Sequence, residues 1–129
     1  MKLRTYKIVY LKNSFYDMVL QYPILAKLLY RNQTDIFDTK QIELLFMPIQ
    51  SEKEKLLEIL TQREDYEYYH GIHKLINPIT EEVITIQMNE YDIKVTEQNQ
   101  KNIIYDILKG FSKNFFMIEE NLYAIIFKY

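Results

Sequence analysis

The sequence predicts an α+β fold: a single-domain α/β sandwich, with helices packed on a mostly antiparallel sheet. Three observations lead there. Apolar, β-branched and aromatic residues alternate at the start, in RTYKIVYL, and again in EEVITIQMN and YDIKVTE. Leucine and isoleucine recur at helical spacing in KEKLLEILTQ and NIIYDILKG. Strands grouped together, instead of alternating strictly with helices, favour an antiparallel sheet over a doubly wound parallel one.

Residues 4 to 11 have the period of two and the composition of a strand. Asn13 or Ser14 then stands where a helix cap belongs, and Asp17 suits the positive helix end. A helix over about 14 to 31 follows, which Pro23 kinks or divides. Residues 32 to 37 form a loop. Asp38 with Gln41 has the form of a capping box, opening a helix KQIELLFM that ends or bends at Pro48. Ser51 with Glu54 repeats that signal before a third helix, whose Leu56, Leu57 and Leu60 make an inward stripe. The acidic REDYEYYHG is expected to add a helical turn stopped by Gly71. Strands IHKLINPI, EEVITIQMN and YDIKVTE come next, parted by Asn77-Pro78, Thr80-Glu81 and Asn89-Glu90. Ile103, Ile104, Ile107 and Leu108 give one buried face to a helix over 98 to 110, with Gly110 as its stop. The last stretch, FFMIEENLYAIIFKY, reads as a hairpin around Glu120-Asn121.

Composition narrows the function classes. With 48% hydrophobic and 26% charged residues in 129, the chain is globular, not disordered. It has no cysteine, so disulfides and thiol chemistry are excluded. Apolar runs stay short of the roughly 18 residues of a membrane helix, and the amino terminus suits a strand better than a signal peptide. A cytoplasmic protein without membrane association is expected. Net charge is −2 with the basic residues scattered, so direct nucleic-acid contact is not expected.

Catalytic signals are sparse. His70 and His73 are three apart, but Gly71 between them argues against a helical metal site, and no third ligand is marked. Glu81-Glu82 and Glu119-Glu120 fall at strand turns, and neighbours on a strand point to opposite faces, which suits solvated charges better than an acid–base pair. A phosphate loop is hard to build with two glycines. Neither an enzyme nor a cofactor is expected. Tyr66, Tyr68, Tyr69, Tyr105 and Tyr123 supply amphipathic surface for a core edge or an interface.

The first helix has a surplus of apolar surface. Phe15, Val19, Tyr22 and Ala26 line one stripe, Met18, Leu25 and Leu29 the adjoining one, and Tyr16 and Leu20 lie on another side. Burial between the sheet and the helix at 40 to 48 accounts for this surplus as well as a partner surface does. Gln41 is equally double: a capping residue, or an amide that orients a partner.

Several blocks of the chain resemble one family in the same order. They are Tyr10-Leu11-Lys12 followed by Phe15, Thr39-Lys40-Gln41-Ile42 with Pro48-Ile49 downstream, and Asp65-Tyr66 with Ile72. The strand Tyr91–Thr96, the helix Ile103–Leu108 with Ser112, and the strand Phe115–Ile118 complete the set. In these the chain resembles the sporulation inhibitor of replication (SirA-like) family of Firmicutes. The resemblance implies an α/β sandwich without catalytic activity that binds the N-terminal domain (domain I) of the replication initiator DnaA. It places the family's contact aromatic on Phe15 and its contact glutamine on Gln41. A second contact aromatic of the family falls on Val19, which keeps the apolar character and loses the ring. A free monomer is expected. An interaction module of the same fold with a different cytoplasmic partner is the alternative.

Overall fold

The alternation in RTYKIVYL makes β1 (Arg4–Leu11), the strand around which the sheet is arranged. The computed structural model of the chain describes residues 3–12, 40, 43–44, 46–98, 101–111, 115–119 and 124–126. After β1 come β2 (Phe46–Met47), α1 (Ser51–Thr61), β3 (Tyr66–Tyr69), β4 (Ile72–Ile76), β5 (Val83–Met88), β6 (Asp92–Glu97), α2 (Ile103–Lys109), β7 (Phe115–Glu119) and β8 (Ala124–Ile126). The eight strands form one sheet in the order β3-β4-β5-β6-β1-β7-β8, with β2 also paired to β1. Every pairing is antiparallel, from Tyr6 opposite Val95 to Ile118 opposite Ile125. The fold class is α+β.

β6 and β7 flank β1 on opposite edges and both run antiparallel to it, so they are parallel to each other. Parallel strands cannot be joined by a tight turn, and α2 carries the chain across. Strand periodicity then sorts the side chains by face. Tyr6 and Ile8 of β1 point with Ile93 and Val95 of β6, Ile84 and Ile86 of β5, and Leu75 of β4 into one core. Leu56 and Leu60 of α1 and Ile104, Tyr105 and Leu108 of α2 close that core from above. Burying each such aliphatic side chain contributes about 1.5–3 kcal/mol.

Four local expectations are corrected. The helix expected through residue 48 does not run that far: Lys40, Glu43 and Leu44 are helical, but Phe46 and Met47 are a strand. β6 pairs with β1 only as far as Val9, and β2 takes up the edge beyond it, Met47 opposite Tyr10 and Phe46 opposite Leu11. The helical turn expected in REDYEYYHG is β3 instead. His70 (φ 51°) and Gly71 (φ 78°) are consecutive left-handed residues, the backbone of a two-residue hairpin turn joining β3 to β4. A glycine that stops a helix and one that turns a hairpin look alike in sequence. Ser51 does not cap α1: the cap position is Gln50, with no side-chain cap bond, and Glu54 N–H donates to the Gln50 carbonyl at 3.2 Å. Leu57, placed in the inward stripe, is 36% exposed.

The other expected elements form. Asn77 organises the β4–β5 turn by accepting from the N–H groups of Ile79 and Thr80 on its side-chain oxygen. Asn89 and Asp92 close the β5–β6 turn through paired backbone and side-chain bonds. α2 is shorter than expected and ends at Gly110. β7 and β8 make the terminal hairpin. The helix expected over 14 to 31 and the Asp38 capping box lie outside the described residues.

A Cβ on Gly71 would meet open space, so Gly71→Ala tests backbone conformation alone. It should lower unfolding free energy by about 1–2 kcal/mol in urea denaturation. Leu60→Ala, which empties a fully buried position, should cost about 2–5 kcal/mol in the same measurement.

Candidate partner-binding site

β1 ends and β2 begins at one end of the sheet, and side chains there tie the two together. Lys12, just past β1, donates from Nζ to the Glu43 carbonyl at 2.8 Å. Tyr10 is flanked by Met47 of β2 on one edge and by Phe115 of β7 on the other, where the two rings meet edge-to-face with centroids 4.8 Å apart. Two apolar side chains close to this point stay open to solvent: Leu44 is 55% exposed and Met47 41%. A cleft of about 300 Å³ lies beside them, lined by Tyr10, Met47, Pro48, Gln50, Ser51, Glu52 and Glu54.

The residues that sequence assigns to partner binding, Phe15, Val19 and Gln41, lie outside the described residues. Their described neighbours are Lys12 and Glu43, which are in contact. The face of the sheet turned away from α1 and α2 is also closed at this end. Val9 is 1% exposed there, and Phe46, which pairs with the next strand position but one, is fully buried.

A polar cluster that the sequence did not reveal occupies the opposite end of β1. Glu97 is fully buried and accepts from Arg4 Nη1 at 3.3 Å; the same nitrogen donates to Asn102 Oδ1. The Arg4 guanidinium also lies 4.9 Å from the centre of the Tyr6 ring and donates to Met117 Sδ at 3.7 Å. Asn102, the residue before α2, is left-handed at φ 55°. The cluster therefore joins β1, β6 and β7 to the start of α2. The Tyr6 hydroxyl and Glu97 Oε2 are buried beside one another without a well-formed hydrogen bond among the described residues. Burial pushes the Glu97 carboxyl above the usual carboxylate range, opposed by the Arg4 charge. Burial, reinforced by Glu97, also raises the Tyr6 hydroxyl. Glu97 has no exposed surface from which to act on a substrate. An early arginine and a strand-end glutamate carry no spacing signal, because the register that joins them spans 93 residues.

His70 and His73 are separated by the hairpin. His70 is in the turn, while His73 on β4 is nearly buried, its Nδ1 2.7 Å from the Tyr66 hydroxyl. Burial lowers the His73 pKa and so favours the neutral ring, whose tautomer sets which of the two groups donates. Of the singled-out tyrosines, Tyr105 is buried and donates to the Phe115 carbonyl at 3.0 Å, whereas Tyr68 and Tyr69 are exposed. Tyr123 lies outside the described residues. Among the described residues, no helix is long and apolar enough to cross a membrane. No protein-family model matches the chain, and no curated protein matches it.

The Glu97 environment has a consequence for pH. A carboxyl whose folded pKa is raised holds its proton more tightly in the folded state, so its contribution is lost as pH rises through that raised value. In urea denaturation from about pH 4 to pH 8, Glu97→Gln should gain stability relative to the native protein as pH rises. Parallel curves would show that Glu97 has the same pKa in the folded and unfolded states.

Proposed function

We propose that this protein is a non-enzymatic inhibitor of DNA replication initiation, of the sporulation inhibitor of replication type. It acts in the cytoplasm by docking on the N-terminal domain of DnaA. Phe15 is the aromatic anchor, Val19 its aliphatic neighbour at i+4, and Gln41 the polar group that orients the partner. The mechanism is occlusion: the docked protein covers surface that the initiator domain uses for its own partners. Neither a cofactor nor direct contact with nucleic acid is required, and the free protein is a monomer.

The observation that carries this reading is the contact between Lys12 and Glu43. Phe15 is at most about 10 Å of chain beyond Lys12, and Gln41 at most about 7 Å before Glu43. The anchor and the amide, 26 residues apart in sequence, are thus tethered to one end of the sheet. Leu44 and Met47, exposed beside the tether, supply apolar surface of the kind a protein interface uses. The burial of Val9 and Phe46 supports the sandwich form of the fold, with a second layer over the face away from α1 and α2.

The test is calorimetric titration of the protein with the N-terminal domain of DnaA from its own host. Binding at micromolar affinity or tighter is expected. Phe15→Ala should weaken it by about 2–4 kcal/mol while circular dichroism stays unchanged. Gln41→Ala should cost about 1–2 kcal/mol. Absence of binding at high concentration rejects the proposal, and unfolding of the Phe15 variant assigns that ring to the core.

A further inference from the structure

The sheet ends on β3, and this margin is uncovered. Among the described residues β3 has β4 as its one neighbour, and its Tyr68 and Tyr69 are 58% and 66% exposed. β3 lies four strands, about 19 Å, from β1, whose end carries the tether of the proposed initiator site. Sheets commonly guard such margins with lysine, proline or a bulge. The strand YEYY contains neither lysine nor proline, its register against β4 is unbroken from Tyr66 to Tyr69, and its one charge is Glu67.

The hairpin turn decides which backbone groups this margin offers. A two-residue turn at His70-Gly71 makes Tyr69 and Ile72 a hydrogen-bonded pair. Alternation along the strand then points the N–H and carbonyl of Tyr69 and Glu67 toward β4, and those of Tyr66 and Tyr68 outward. The bond from the Ile76 N–H to the Asp65 carbonyl, 2.9 Å, has the same parity. The Tyr66 N–H is turned back on the Arg63 carbonyl at 3.4 Å. Left open are the Tyr66 carbonyl and both the N–H and the carbonyl of Tyr68. Side chains divide by the same rule. Tyr68 lies with His73 on the helix-covered face, their ring centroids 4.8 Å apart, and Glu67 and Tyr69 lie on the other.

We infer that β3 is a docking edge for an extended segment of a protein partner, which adds to the sheet as an antiparallel strand. The partner residue opposite Tyr68 exchanges both bonds with it, and the residue two further on donates to the Tyr66 carbonyl. Both set their side chains beside the exposed Tyr68 ring, where apolar groups fit. The residue between them faces Glu67. Arg63 is held by Asp65 through two bonds of 2.9 Å, and Glu67 makes no ion pair with Lys74 across from it, so a lysine or arginine of the partner is the complement there. A second copy of this chain fits less well. Two-fold antiparallel pairing keeps every side chain on its own face, so its centre falls on a residue. A centre at Glu67 opposes two glutamates. A centre at Tyr68 brings in His70, whose left-handed backbone (φ 51°) is not extended, and needs the Tyr66 N–H already given to Arg63.

The probe is the peptide fluorescein-Ser-Ser-Val-Val-Lys-Val-Thr-amide, whose second valine is the residue opposite Tyr68, titrated with the full chain and read by anisotropy. Binding is expected. N-methylation of that valine removes the N–H that meets the Tyr68 carbonyl; this change and Tyr68→Ala should each weaken binding about tenfold. Glutamate in place of the peptide lysine should weaken it as well. In hydrogen exchange followed by NMR, the Tyr68 amide should exchange freely in the protein alone and slow when peptide is bound, while the Glu67 and Tyr69 amides are slow throughout. No binding at millimolar peptide, undiminished binding of the N-methylated or the glutamate peptide, or a Tyr68 amide already protected by self-association of the protein alone overturns the inference.

Discussion

β1 is paired along both edges through most of its length with strands from distant parts of the sequence, and the rest of the molecule is arranged by that constraint. Its residues 4 to 9 pair with β6 on one side, and its residues 6 to 10 pair with β7 on the other. Antiparallel pairing on both edges makes β6 and β7 parallel, which forces a crossover and gives α2 its place. Once α2 lies over the sheet, Tyr6 and Ile8 are covered, and the facing residues of β5 and β6 must be apolar as well. The β3-β4-β5-β6 part is a simple meander, each strand added to the last by a short turn. Nothing in that meander requires β1 except its final strand.

The buried polar cluster is the counterpart of the apolar core. A glutamate without solvent contact is costly to ionise, and its stabilisation depends on Arg4 being held alongside. Arg4 is held by its other partners, Asn102 and the Tyr6 ring. Asn102 in turn adopts a left-handed conformation, which asparagine tolerates better than most residues and which lets the chain turn from β6 into α2. The cluster is thus a clasp at one end of β1, where the crossover begins. At the other end, Lys12 and β2 make a second, smaller clasp, and it is there that the proposed partner surface is tethered.

The two faces of the sheet are used differently. One is mainly apolar, with the Arg4–Glu97 pair at one end, and carries both described helices. The other is closed at the β2 end by Val9 and Phe46 and mixes aliphatic, hydroxyl and charged side chains across the meander.

Sequence by itself determined the α+β class, the strands β1, β4, β5 and β6, the helices α1 and α2, and the terminal hairpin. Each has a local period of 2 or 3.6 that needs no partner to be seen. It also pointed to Phe15, Val19 and Gln41 as the candidate residues of the proposed site, through an apolar surplus and a resemblance. Tertiary structure decided what depends on pairing. YEYY is a strand because β4 offers it an edge and His70-Gly71 can turn left-handed; Phe46-Met47 is a strand because β6 stops short on β1. The Arg4–Glu97 ion pair and the Lys7–Lys94 apposition exist only in the register of β1 with β6. Such pairs leave no trace in local sequence, because the energy that sets a register is the burial of the opposite face and not any preference of the paired residues themselves.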